Sequence, residues 1–251
     1  MQTRDFGRLA ITETGLGLSL AFIAGAVNAG GFLLVGQYTS HMSGILSAVA
    51  DAAVTGSLAL AMAGLAAVLC FILGAAVSAA LINWGRRNPG HHPFALPLRL
   101  EAGLLLLLGL LGGLLSAAPA AAFAIPLLCF LMGLQNATIT KISGARIRTT
   151  HMTGVVTDLG IELGKLLYWN RRPPGPGGHV VRADRAKLRL LSGILSAFLL
   201  GGLVGAMSFL SLGFVSTVPL ALALLALARA MIRAEFHERL ARPVGDALRG
   251  R

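Results

Sequence analysis

Apolar positions along this chain come in long unbroken runs. They show neither the alternation of a half-buried strand nor the single apolar stripe of a soluble helix. A bilayer core takes about 20 apolar residues per helix, and six runs reach that scale: 14–36, 57–84, 98–117, 120–139, 188–210 and 214–231. The third is the most apolar, with LLLLLGLLGGLL in its middle. Two further stretches, 43–56 and 152–169, read as helices too short to count as spans. The expected fold is therefore all-α and membrane-embedded, with about six transmembrane helices and two additional short ones.

Composition agrees with that pattern. Hydrophobic residues make up 55% of the 251 and charged ones only 12%, against roughly 25% charged in soluble domains. Leu, Ala and Gly dominate and aromatics are few, which argues against barrel strands and suits close helix packing in lipid. The formal net charge is +11. In a soluble chain this would raise nucleic acid as a partner, but here the cations bracket the apolar runs. If six spans alternate, all 21 Lys and Arg fall on one side. The other side is left with QYTSHMSG, SAAP and LSLG. By the positive-inside bias, both termini are expected in the cytoplasm of a bacterial inner-membrane protein, with lipid and not nucleic acid as its surroundings. Cys70 and Cys129 lie inside apolar runs and read as small buried residues.

The polar interruptions repeat. FIAGAVNA at 22–29 and FLMGLQNA at 130–137 share F-x-x-G-x-x-N-A, and TSHMSG at 39–44 matches TTHMTG at 149–154. The two blocks recur in the same order at nearly the same spacing, and Ser47 and Thr157 also correspond. The expected organisation is two three-span repeats, 1–118 and 119–251. Three is odd, so the second copy enters the membrane from the opposite side, the inverted topology found in many transporters.

GAVNAGGFLLVGQYTSHMSG and GLQNATITKISGARIRTTHMTG resemble the two signature regions of the YoaK-like family of bacterial membrane proteins. The resemblance spans the whole chain. It implies six spans and brings no established biochemical activity. The family's first signature often reads Thr-Gly-Asn after the loop. Here Ser43, Gly44 and Ile45 stand there, so a role for that Asn does not carry over.

The motifs suggest a site. Ser43 and Thr153 are the expected N-caps of the short helices. If those helices are re-entrant, their N-termini would meet a polar or anionic group inside the protein; if interfacial, the motif hydroxyls and glycines serve packing. The substrate-contact candidates are Asn28, Thr39, His41, Ser43 and Gly44, and their counterparts Asn136, Thr149, His151, Thr153 and Gly154. His41 and His151 are proton-coupling candidates, since an imidazole can carry a proton, joined by Asp51 and Asp158. Asp158, Glu162 and Lys165 share one side of the second short segment, a pattern that also suits an interface. No ligand spacing points to a metal, and no cofactor is expected. Phosphate-binding glycine loops, HExxH and GxSxG are absent, so an enzyme is not expected. The expected function is that of a permease-like protein for a small polar solute, an anionic one if the two helix N-termini face it. A passive channel, a membrane-embedded enzyme and an interaction protein are the alternatives, and Gly and Ala faces would suit a homodimer.

Overall fold

A computed structural model describes residues 13–88, 90–112, 117–145, 147, 149–168 and 180–241. Its elements are α1 (Glu13–Val35), α2 (Met42–Val54), α3 (Leu58–Arg87), α4 (Ala95–Gly112), α5 (Ala117–Ile142), α6 (Met152–Leu167), α7 (Arg185–Leu212) and α8 (Thr217–Ala241). A short 3-10 turn, Gly213–Ser216, joins the last two. Among the described residues, five helical stretches are long and apolar enough to cross a membrane: Glu13–Val35, Leu58–Arg87, Ala95–Gly112, Ala122–Ile142 and Arg185–Ala234. The protein is thus a multi-pass membrane protein built of apolar helices.

The last of these stretches runs for 50 residues and corresponds to the two runs expected at 188–210 and 214–231. Its division is local. Gly213 has φ +58, a conformation glycine adopts without the Cβ clash that other residues meet, and the direction of α7 ends there. The basic residues after the last apolar run begin as a continuation of α8, which runs to Ala241. The Pro/Gly-rich linker at 170–179 and the end of the tail lie outside the described residues.

Large apolar side chains point outward along α3 (Leu60, Leu69, Ile72, Leu73) and α7 (Leu199, Leu200, Leu203, Leu210). So wide an apolar surface is stable only against lipid. The inward faces form a main core around Leu20, Leu98, Leu105, Leu128, Leu131 and Leu224, and a second, small cluster joins Ile45, Ala67 and Cys129. Cys129 is buried, Cys70 is half-buried, and both are free thiols.

The two most extensive helix interfaces are α1 with α7 and α3 with α5. Each is made in the same way. A Cβ built on Gly25 would lie 2.0 Å from the Phe198 carbonyl oxygen, and one on Gly201 would lie 1.9 Å from that of Phe22. In the other pair, Gly74 meets the Phe130 carbonyl at 1.9 Å and Gly133 meets that of Phe71 at 2.0 Å. Each helix therefore offers Phe-x-x-Gly, and the two motifs clasp reciprocally. The glycine hydrogen occupying the Cβ direction points at a carbonyl oxygen, the geometry of a Cα–H···O contact. The matched F-x-x-G of α1 and α5 is half of this device. Its partners, Phe71-x-x-Gly74 and Phe198-x-x-Gly201, are a second matched pair that the sequence comparison did not single out.

The contacts also fix relative direction. Gly201, Gly205 and Phe209 meet Phe22, Ala26 and Gly30 in ascending order, so α1 and α7 are parallel. Gly74 and Ser78 meet Leu134 and Thr138 in ascending order, with a 2.8 Å hydroxyl bond between Ser78 and Thr138. α3 and α5 are therefore parallel too. By contrast, Gly17 lies against Ile147 just past α5, and Gly31 against Leu128 near its start, so α1 and α5 run antiparallel. α4 and α8 do likewise: Thr217 Oγ1 donates to the Leu105 carbonyl at 2.7 Å, while Gly112 lies farther along α4 against Phe214.

Replacing Gly74 or Gly201 by Ala forces the helices apart and destabilises the protein by about 1–3 kcal/mol, the usual cost of overpacking. Gly202→Ala serves as the control, because its Cβ would meet Ala29 at an ordinary 3.7 Å. Thermal unfolding of the purified protein in detergent reads the difference. Equal melting temperatures for Gly201→Ala and Gly202→Ala would contradict the clasp.

Candidate functional site

Each repeat of the motif links the end of one long helix to the start of a short one. The short helices do not begin where expected. His41 and His151 are the N-cap residues of α2 and α6, so Ser43 and Thr153 sit inside the first turn. The reason is the seating of the imidazole. A Cβ on Gly44 would lie 2.2 Å from His41 Cδ2, and one on Gly154 would lie 2.3 Å from His151 Cδ2. The ring folds onto its own helix start, and H-x-x-G is the pattern that leaves room for it. Neither histidine makes a side-chain capping bond, and both are exposed. The corresponding hydroxyls of Ser47 and Thr157 donate to the carbonyls of Ser43 and Thr153 at 3.1 and 2.8 Å.

Asn28 and Asn136 anchor the motif loops. Asn28 Oδ1 accepts from Ser40 N at 3.2 Å and from Ser40 Oγ at 2.9 Å. Asn136 Nδ2 donates to Thr150 Oγ1. Ser40 and Thr150 are matched positions immediately before the histidines, so each asparagine ties the loop to its own preceding helix. The bonds differ in sense, and Asn136 Oδ1 is left buried without a partner.

Thr39 and Thr149, the first residues of the two motifs, are fully buried, and neither hydroxyl has a hydrogen-bond partner. Buried polar groups are normally paired, and an orphan at a matched position in both copies calls for an explanation. The motif thus turns inside out along its length, threonine inward and histidine outward. α2 packs on α3 and α6 on α7, and the two short helices do not pack on each other. The two sets of motif residues accordingly form two separate places in the fold.

The most isolated polar groups lie elsewhere. Glu101, in the second turn of α4, is fully buried, and neither carboxyl oxygen has a hydrogen bond of good geometry. The polar side chain that acts on it is that of Gln135 on α5, itself fully buried with both amide atoms unpaired. Gln135 occupies the place held by the buried Val27 in the first repeat, so the two halves differ here. Glu101 lies within the most apolar run, 98–117, and is absent from the site candidates read from the sequence. The signal was present: a single carboxylate inside a stretch, 100–115, that is otherwise Leu, Ala and Gly.

The acidic groups of the short helices behave differently. Asp51 is exposed. Asp158 pairs with Lys187 at 3.3 Å, and the buried carboxylate of Glu162 accepts from Lys165 at 2.8 Å and from the Asp184 backbone N–H at 2.9 Å. Asp184 in turn caps α7 by accepting from the backbone N–H groups of Ala186 and Lys187. This ionic cluster docks α6 onto the start of α7. The Lys165 hydrogen bond, followed by the Asp184 N–H, holds the Glu162 carboxyl below its usual value of 4.5.

A family model described as "Protein of unknown function (DUF1275)" matches residues 16–230. No curated protein and no solved structure matches the chain.

Two outcomes follow from this geometry. Asn28→Ala removes two neutral hydrogen bonds at about 1 kcal/mol each and raises hydrogen exchange in residues 37–41 while leaving α5 unchanged. Unaltered exchange there would mean the anchor is dispensable. Glu162 stabilises the α6–α7 docking fully above the ordinary carboxyl value, because its folded-state value is the lower one. That contribution fades as pH falls below 4.5 and is gone once the pH passes the folded value. Protection factors of α6 amides, measured against the intrinsic rate at each pH, should fall on acidification in wild type, and Glu162→Gln should remove that pH dependence in this window.

Proposed function

The chain belongs to the DUF1275 family of proteins of unknown function, and on that premise we propose that it is a permease-like carrier of a small polar solute. In this reading it crosses a bacterial inner membrane six times as two inverted three-span repeats, with both termini in the cytoplasm. The parallel clasps of α1 with α7 and α3 with α5, and the antiparallel α4–α8 pair, support that arrangement. So does the one-sided distribution of Lys and Arg.

The observation that carries the transport reading is the set of matched buried hydroxyls. Thr39 Oγ1 and Thr149 Oγ1 are both fully buried and unpaired at equivalent positions of the two copies. An apolar bundle gains nothing from burying an unsatisfied hydroxyl, at roughly 1–3 kcal/mol each, unless something else bonds to it. A small polar solute, or water on its path, supplies those bonds. Inverted-repeat carriers bind their cargo on such paired elements. His41 and His151, exposed beside these threonines, would meet the solute at the two entrances.

Reconstituted vesicles test this directly. Uptake of radiolabelled amino acids, polyols and small carboxylates should be saturable for at least one class and absent from protein-free vesicles. Thr39→Val and Thr149→Val should each reduce it about tenfold, the effect of one lost hydrogen bond to a bound polar group at roughly 1.4 kcal/mol. Non-saturating flux would replace the carrier by a channel, and no uptake of any class would overturn the proposal. For topology, single cysteines at Ser40 and Thr150 in a chain lacking Cys70 and Cys129 should label from opposite faces of oriented vesicles. Labelling from the same face would refute the inverted repeat.

A further inference from the structure

We propose that Glu101 and Gln135 form a proton-binding site inside the helix bundle, and that this site couples the carrier to a proton gradient. The coupling clause rests on the transport reading above; the proton site does not.

Glu101 is fully buried on α4 in an apolar core, with Leu98, Ala102 and Leu105 buried around it in sequence. A bare carboxylate in such surroundings requires a compensating cation. The elements packed on α4 are α3, α5, α8 and the 3-10 turn. Their described ionisable groups are Cys70, Arg86 and Arg87 on α3, Cys129 and Lys141 on α5, and Arg229 and Arg233 on α8. Arg86 lies over the Phe94 ring and Lys141 reaches Asn83. No described cation forms an ion pair with Glu101, and Arg99 on its own helix is exposed. With no protein cation in place, the simplest compensating charge is a proton on the carboxyl itself.

Gln135 makes the site more than an isolated acid. A primary amide can accept from a protonated carboxyl through its oxygen and donate to an ionised one through its nitrogen. It therefore serves both states of Glu101, with a small reorientation between them. Both of its polar atoms are buried and free of other bonds, so nothing locks the amide in one role. The equivalent place in the first repeat is Val27, which can do neither, so the site exists once and not twice. In a carrier with two otherwise matched halves, a single proton site gives the inward and outward movements different charge states.

Infrared difference spectroscopy of the purified protein through a pH titration tests the site without any solute. A protonated-carboxyl carbonyl band should be present at neutral pH, shift in heavy water, and disappear at alkaline pH. It should be missing in Glu101→Gln, and its titration midpoint should move in Gln135→Leu. Absence of the band in wild type, or a band that neither exchanges nor titrates, would overturn the proposal by making Glu101 a fixed structural group. Gln135→Asn, which retains the amide, provides a second test: it should keep a titrating band even if Gln135→Leu is unstable. A titrating band together with no solute uptake would sink the transport reading and leave the proton site standing. Uptake driven by a pH gradient that survives Glu101→Gln would sink the coupling.

Discussion

Association of helices in lipid lacks the hydrophobic drive that holds soluble proteins together, since lipid tails are as apolar as the side chains they would replace. The bundle depends instead on close backbone approach, and four glycines supply it. Gly25 with Gly201 and Gly74 with Gly133 let neighbouring helices come within reach of each other's phenylalanine carbonyls. Dispersion and weak Cα–H···O contacts then act over a long interface. The two clasps set which helices are parallel. From that follows where the ends of α1 and α5 lie, and hence where the motif loops can go.

The loops are built to a common plan on this frame. An asparagine in the preceding helix holds the residue before the histidine. The histidine ring rests on the glycine three residues later, and the threonine at the head of the motif is pushed into the interior. The plan explains most of the motif structurally. Among the buried polar atoms it leaves unexplained are the two threonine hydroxyls, one Asn136 oxygen, and the Glu101 and Gln135 side chains. Those atoms bring nothing to packing, and they are where the proposed carrier function and its proton site are placed.

The short helices show how one local pattern serves two ends. α2 and α6 both bury an aliphatic residue near the start, Ile45 and Val155. Farther on, α2 buries Ala52 where α6 buries Glu162. The carboxylate is tolerated because Lys165 and the capped start of α7 surround it with donors. On this helix the proton-coupling candidate Asp158 pairs with Lys187 at the start of α7. The buried carboxylate without a charged partner is on α4.

Much of the architecture was legible in residue order. Apolar run length determined the long helices, since only a continuous helix satisfies its backbone in lipid. The repeated motifs marked equivalent places because like sequences make like local bonds. Other features depended on residues far apart in the chain. Phe-x-x-Gly in α3 and α7 has meaning only opposite its partner, and a helix start was shifted by a side chain folding onto a glycine. Whether Thr39 points inward or His41 outward, and whether Glu101 finds a cation, depends on which helices surround it. Composition and periodicity describe a helix relative to an average solvent. The pairing of a buried polar group is set by particular neighbours, and only the packed bundle supplies them.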